Sequence, residues 1–325
     1  MRAVVYRTPG DAQTVLEEMY LADPEPSSGE VRVKIAVSGV NPTDFKSRTR
    51  ADALPFAFQI PNQDGAGVID AVGDGVDSSR IGERVWVYHA AFNRPFGTAA
   101  EYVCLPAIQA VPLPDAVSFA RGAGLGIPFL TAHYCLFENG PVQNQTVLVT
   151  GGAGAVGNAA IQLAKANGAR VIATVSSDEK AELARLAGAD AVVNYRSNDA
   201  KAQLQTAAPD GVDRVVEVAL AQNLDMILPV LNPFAQVVTY ASDNVPEALY
   251  MRPLMGGLVT LKFMLVYHLP QAMLDQGIKD ITALLTDGFV SVLPEHHYPL
   301  ADTWQAHKAV ENAAVGKVLI DVANA

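Results

Sequence analysis

The chain has 325 residues, half of them apolar and 18% charged, which is more than one hydrophobic core usually supports. Its formal net charge of −11 argues against nucleic acid or an anionic membrane as a partner. With two cysteines, Cys104 and Cys135, there is no disulfide framework, no apolar run has membrane-spanning length, and the opening MRAVVYRTPG lacks the apolar stretch of a secretory signal, so a reducing, cytoplasmic setting is expected.

In chain order, short β-like runs come first: Val31–Val37, Gly65–Val72 and Glu83–Tyr88. Pro24, Pro26, Gly29, Pro42, Pro61, Gly73, Gly75 and Gly82 punctuate them, the pattern of an irregular β-barrel or sandwich. The texture changes after Pro114. Ser118–Asn139 reads as helix, interrupted near Gly126-Ile127-Pro128. Thr146–Thr150 is a continuous apolar run, expected to be a strand buried on both faces. Ala155–Asn167 is a helix stopped by Gly168, and Arg170–Val175 is the next strand. Asp178–Ala187 is a second helix, with Ser177 as N-cap and Gly188 as stop. Further strands are expected at Ala191–Asn194, Asp213–Val218, Gln236–Tyr240 and Leu258–Phe263. Strands alternating with helices at this spacing predict βαβ units and a doubly wound parallel sheet. The tail holds helix, an extended piece (His296–Leu300), the helix Asp302–Ala313 and a last strand, Lys317–Val322.

The main chemical signal lies in VLVTGGAGAVGNAAIQLAKANGARVIATV. A strand runs into Gly151-Gly152-Ala153-Gly154-Ala155-Val156-Gly157, which opens a helix, and a second strand follows. Glycines permit the tight turn and close backbone approach to a pyrophosphate, and the helix start offers unpaired N–H groups. An NAD site usually carries an acid at the tip of the second strand. Here that strand ends Thr174-Val175-Ser176-Ser177, with Lys180 one turn on, which favours a 2′-phosphate and hence NADP(H).

With these residues in view, the sequence resembles the zinc-free quinone oxidoreductases, the zeta-crystallin-like branch of the medium-chain dehydrogenase/reductases. The resemblance is carried by SGVNPTDFKSR (Ser38–Arg48), QDGAGVIDAVGDGV (Gln63–Val76), GERVW (Gly82–Trp86), GTAAEYV (Gly97–Val103), GIPFLTAHY (Gly126–Tyr134), the glycine turn, LAGADAVVNYR (Leu186–Arg196) and GKVLI (Gly316–Ile320). It implies an α/β fold: a GroES-like β-barrel catalytic domain over residues 1–117, a Rossmann NADPH-binding domain over 118–265, and a segment, 266–325, that returns to the catalytic domain. It further implies that Ala153, Gly154, Ala155 and Val156 cradle the pyrophosphate, and that Ser176, Ser177, Lys180 and Tyr195 surround the 2′-phosphate. Thr131 would face the nicotinamide amide. Asn223, Tyr240, Ala241, Ser242, Asp243, Leu261, Lys262 and Phe263 would line the nicotinamide and its ribose. Gly316, Lys317 and Val318 would close over the cofactor.

Zinc is the fork within this superfamily. Gln63-Asp64 stands where zinc-dependent relatives carry a His-Glu pair, Asn41-Pro42-Thr43-Asp44 replaces the early cysteine, and the six histidines form no helical ligand pair. A metal-free site suits reduction of an electron-poor acceptor, a quinone or an enone, which itself stabilises the incoming hydride's charge. Asn41 is the candidate donor to a substrate carbonyl, and Asp44 is expected to fix the turn. Lys46 stands where many quinone reductases of this branch have tyrosine. Its Asp-x-Lys setting resembles alkenal and enone reductases, in which the lysine is placed at the nicotinamide ribose as a proton relay. Two other readings stay open: a non-catalytic NADPH-binding sensor, and a polyketide- or fatty-acid-type reductase domain. A homodimer is expected through the apolar run Gly257–Tyr267, read as a late sheet strand.

Overall fold

The computed structural model describes residues 1–50, 53–241, 249–288 and 293–322. The chain divides into two compact units, Met1–Ile127 with Pro294–Ala325, and Pro128–Leu293. The expected boundaries at 117/118 and 265/266 therefore differ from the packing. Residues 118–127 stay with the first unit because Gly39 lets its strand press on their backbone: a Cβ there would lie 2.0 Å from the Ala123 carbonyl oxygen. Residues 266–293 belong to the second unit, where the helix Gln271–Thr286 buries Leu274, Ile281, Leu284 and Leu285.

In the first unit the long strand Glu30–Val40 pairs with Lys317–Asp321, Asp64–Val72 and Tyr102–Pro106. It serves three partners because it bends, with register shifts between Arg32 and Val33 and between Ile35 and Val37. Val31, Val33 and Ile35 alternate inward to a core shared with Val85, Val103, Leu105, Val318 and Ile320. The chain's end thus supplies central sheet: Lys317–Asp321 lies between Glu30–Val40 and the parallel strand Glu295–Pro299.

Among the described residues the second unit holds a six-stranded parallel sheet, in the order Ala191–Asn194, Arg170–Val175, Thr146–Val149, Val212–Glu217, Leu231–Thr239, Thr260–Phe263. Chain order reverses direction between the third and fourth of these, the switch point at which open α/β sheets bind ligands. The central strands are largely buried, Thr146–Val149 and Arg170–Val175 as mainly apolar runs and Val212–Glu217 with its Arg214 and Glu217 side chains buried as well. Among the described residues Thr260–Phe263 is an edge strand, and around it Leu258, Phe263 and Leu265 are exposed. Among the described residues no helix is long and apolar enough to cross a membrane.

Candidate functional site

The glycine turn has the geometry its sequence predicts. Gly151 sits at φ +69°, and the helix Ala155–Ala166 starts after Gly154, an N-cap with no side chain to bond the first N–H groups. A Cβ on Gly157 would lie 2.3 Å from the Gly151 carbonyl oxygen, so only glycine lets the helix start close against the turn. Gly152 donates to the Thr174 carbonyl at 2.9 Å, which ties the turn to the end of the second strand. Uncapped helix N–H groups and a positive dipole end suit a pyrophosphate, and Ala153, Gly154, Ala155 and Val156 are the residues that would hold one.

At the tip of Arg170–Val175 the chain brings the predicted 2′-phosphate residues together. Ser177 Oγ caps the next helix at the Lys180 N–H, 3.3 Å away. Lys180 Nζ donates to Ser176 Oγ at 3.1 Å. A hydroxyl and an ammonium thus stand at the position where an acid would repel a phosphate. Beside them a cleft of about 760 Å³ opens over the strand ends, lined by Gly151, Thr174, Tyr195, Lys201, Val218 and Asn223 among others. The cleft is of a size to take a nucleotide portion.

Asn223 reaches this wall on a support the sequence reading missed. Its amide donates at 2.8 Å to Glu217, a fully buried carboxylate at the tip of Val212–Glu217 that also accepts the Ala219 N–H. Burial pushes Glu217 above the usual carboxylate range. The available signal was one acid inside the apolar run Val215–Leu220. Thr131 is buried in the helix Gly126–Phe137. Tyr240 and Ala241 follow the end of Leu231–Thr239, while Ser242 and Asp243 lie outside the described residues.

Two predicted groups go elsewhere. Leu261, Lys262 and Phe263 do not face one ligand, because a strand alternates its side chains. Leu261 packs on the core of the second unit, Lys262 pairs with Glu138, and Phe263 is 69% exposed. Gly316, Lys317 and Val318 belong to the first unit. Gly316 turns at φ +120° against the Pro294 carbonyl, and Val318 enters the core. The run Gly-Lys-Val-Leu-Ile is a strand start, with period two.

Lys317 instead completes a buried polar cluster around Asn41, Asp44 and Asp64. Its Nζ donates to Asn41 Oδ1 at 2.7 Å and to the Val40 carbonyl at 3.3 Å. Asn41 Nδ2 donates to Asp64 Oδ2 at 2.7 Å, and both Asp64 oxygens accept the Ile127 N–H at 3.0 Å. Asn41 is 2% exposed, so its amide spans Lys317 and Asp64 inside the unit, a different task from the expected donation to a substrate carbonyl. Asp44 does fix the turn: it accepts the Asn41 N–H at 2.7 Å and the Gln63 N–H at 3.2 Å. Asn41, Pro42 and Asp44 form a helix start with Pro in the first turn and an acid reaching back. Burial pushes Asp44 up to about 8, with Asp64 adding to the rise. Burial likewise pushes Asp64 up to about 6, opposed by Lys317, Asn41 and the Ile127 N–H. Burial lowers Lys317. Lys46 lies half-buried on the helix Pro42–Arg50.

The same cluster bears on the metal question. Asp64 spends its oxygens on Asn41 and Ile127, and Gln63 Oε1 accepts the Ala91 N–H at 3.1 Å. Among the described residues no group of three His, Cys, Asp or Glu side chains is placed to hold a metal ion.

Known proteins share this architecture. Residues 27–115 match the family described as alcohol dehydrogenase GroES-like domain, and residues 155–282 the family described as zinc-binding dehydrogenase. The chain is 30% identical to a quinone oxidoreductase of Rattus norvegicus over 98% of its own length and 97% of the relative's. Among solved structures, an NAD-dependent alcohol dehydrogenase superposes with a TM-score of 0.87 at 27% identity, covering 99% of this chain and 100% of the other. The Escherichia coli quinone oxidoreductase complexed with NADPH gives a TM-score of 0.85 at 25% identity, covering 99% and 100%. With the glycine turn, the strand order and these full-length likenesses together, the chain belongs to the medium-chain dehydrogenase/reductase superfamily, in its quinone oxidoreductase branch.

Proposed function

We propose that this protein is an NADPH-dependent, zinc-free oxidoreductase that passes hydride to a quinone or another electron-poor conjugated carbonyl. The observation that carries the reading is the Ser176–Lys180 pair at the tip of Arg170–Val175. It favours NADPH over NADH in a fold that a similar NAD-dependent alcohol dehydrogenase also uses. NADPH, when bound, supplies the hydride. The protein's own work is to hold the pyrophosphate at Ala153–Val156, select the 2′-phosphate through Ser176, Ser177, Lys180 and Tyr195, and keep water from the acceptor. The test is steady-state oxidation of NADPH and NADH against a panel of quinones, enals and enones. Rapid NADPH turnover with quinones is expected; tight NADPH binding without turnover on any acceptor would point to a sensor.

An enone reductase is the second reading, and Lys46 favours it. Hydride at an enone's β-carbon leaves an enolate that needs a proton at its α-carbon, and an ammonium supplies one. A reduced quinone picks up protons from solvent. Lys46→Met is therefore expected to slow enone reduction on the order of tenfold or more, with quinone reduction and NADPH affinity changed less. Equal loss on both substrates would make Lys46 a cofactor-positioning residue, and no loss on either a surface lysine.

The donor set around Gln63 and Asp64 also fixes an expectation for metal. Elemental analysis should find no stoichiometric zinc, and EDTA should leave activity intact; one zinc per chain with activity lost on chelation would sink the metal-free reading. A cytoplasmic homodimer remains part of the proposal, paired through the edge strand Thr260–Phe263. Light scattering at micromolar concentration tests the dimer.

A further inference from the structure

We propose that a cavity in the second unit, at the end of its sheet opposite the glycine turn, is a separate binding site for a small aromatic ammonium. The cavity holds about 400 Å³ and is lined by His133, Tyr134, Phe137, Glu138, Met273 and Asp280 among others. Asn167, which caps the C-terminus of the glycine-turn helix, and Gly140-Pro141, which precede the strand Thr146–Val149, also line it. These residues stand at the N-terminal ends of the strands, whereas the cofactor cleft lies at their C-terminal ends.

Gly277 builds the site. A Cβ there would lie 3.2 Å from Leu130 Cδ2 and 3.3 Å from His133 Nδ1, so glycine brings the helix Gln271–Thr286 close against the helix carrying His133. The two helices then hold a polar group between them. His133, 6% exposed, places Nε2 2.8 Å from Asp280 Oδ2, and Gln276 donates to Asp280 Oδ1 at 2.9 Å. Burial holds His133 below its usual value, against the pull of Asp280. Asp280 here accepts from a histidine and an amide, with no lysine or arginine among its bonded partners.

Glu138 also lines the cavity. One of its oxygens pairs with Lys262, whose Nζ also lies 5.6 Å from the Tyr134 ring centroid. Its Oε2 is buried and has no hydrogen-bond partner among the described residues. Lys262 and Arg214, which donates to the Gly140 carbonyl at 3.1 Å, balance the Glu138 charge. The charged side chains of the lining itself are both carboxylates, which disfavours an anion. The Tyr134 and Phe137 rings favour a ligand with an aromatic or cationic body, and Phe137 packs tilted against His133, ring centroids 4.8 Å apart. Ammonium on an aromatic frame meets all of these demands.

The test is calorimetric titration of the intact protein with 2-phenylethylammonium, 2-phenylethanol and phenylacetate. The ammonium is expected to bind with a dissociation constant on the order of 1 mM or tighter. The alcohol should bind about tenfold more weakly, and phenylacetate not at all. Asp280→Asn should weaken the ammonium about tenfold. Ala272→Trp, at an exposed position on the rim, should abolish it, with NADPH affinity read alongside as the check on folding. Equal affinity for alcohol and ammonium would overturn the ligand class. No heat from the ammonium at about 10 mM, or binding indifferent to both variants, would overturn the site. The titration needs no turnover, so its failure is separate from any failure of the redox reading.

Discussion

Lys317→Met is expected to destabilise the first unit by about 3–5 kcal/mol at pH 8, the cost of leaving a buried charge without its partner. At pH 5 the loss should be much smaller. The reason is the protonation of Asp44 and Asp64. Both stand above the usual carboxylate value in the folded protein, at about 8 and about 6, chiefly through burial. A carboxyl group raised on folding holds a proton that the unfolded chain has released. Its contribution is therefore present at acid pH and lost as pH rises through the folded values. At pH 5 both groups are protonated and Lys317 has little charge to balance. At pH 8 Asp64 is ionised, and Lys317, which burial lowers but the facing carboxylates pull back up, is joined to it through Asn41 and offsets that charge when protonated. Without the ammonium, the carboxylates must keep their protons to higher pH or the unit must open. Urea unfolding of the variant and the parent at the two pH values checks this. An equal loss at both would assign the effect to the lost bonds to Asn41 and Val40, with charge playing no part.

That cluster also marks the limit of what the sequence discloses. The second unit is legible because each of its elements is local. Thr146–Val149 and Arg170–Val175 are continuous apolar runs, the glycine turn joins the first to its helix, and Ser177 and Gly188 bracket the next. Strand-to-helix alternation then dictates the parallel sheet, and the predicted 2′-phosphate residues meet because they lie within one turn of a strand tip. The first unit is legible only as β-rich. Its strand Lys317–Asp321 pairs with Glu30–Val40, almost three hundred residues earlier, and no local pattern reveals a partner at that distance. Lys317 therefore reads as a cofactor cover in the sequence and as a buried cation in the structure. Arg48 shows the same limit: it is fully buried, and its guanidinium bonds Glu311 and the Gly10 carbonyl. His307 bonds Asn62 at 3.0 Å in the same interior, and burial, with Arg48, holds it down to about 3. Each of these side chains carries the signature of a solvated surface residue, and only long-range packing buries it.

Lys180→Ala is expected to weaken NADPH binding by about ten- to a hundredfold and to leave NADH binding nearly unchanged. Lys180 Nζ stands 3.1 Å from Ser176 Oγ, so the ammonium is already held at the strand tip with a hydroxyl beside it. A phosphate arriving there accepts from both; the lysine brings a full positive charge and the serine a neutral donor, so the lysine bond is the stronger. A hydrogen bond to a charged group contributes about 1.5–3 kcal/mol, which is the predicted range of affinity. NADH presents a ribose hydroxyl to the same place and gains little from an ammonium. Ser176→Ala should therefore cost less than Lys180→Ala. Ser177→Ala should cost helix stability as well, because Ser177 Oγ caps the Lys180 N–H. Fluorescence titration of both cofactors against the three variants separates the roles. Equal losses for NADPH and NADH in Lys180→Ala would place the lysine outside the 2′-phosphate site. Lys201, on the wall of the neighbouring cleft with Tyr195, would then be the next cation to test.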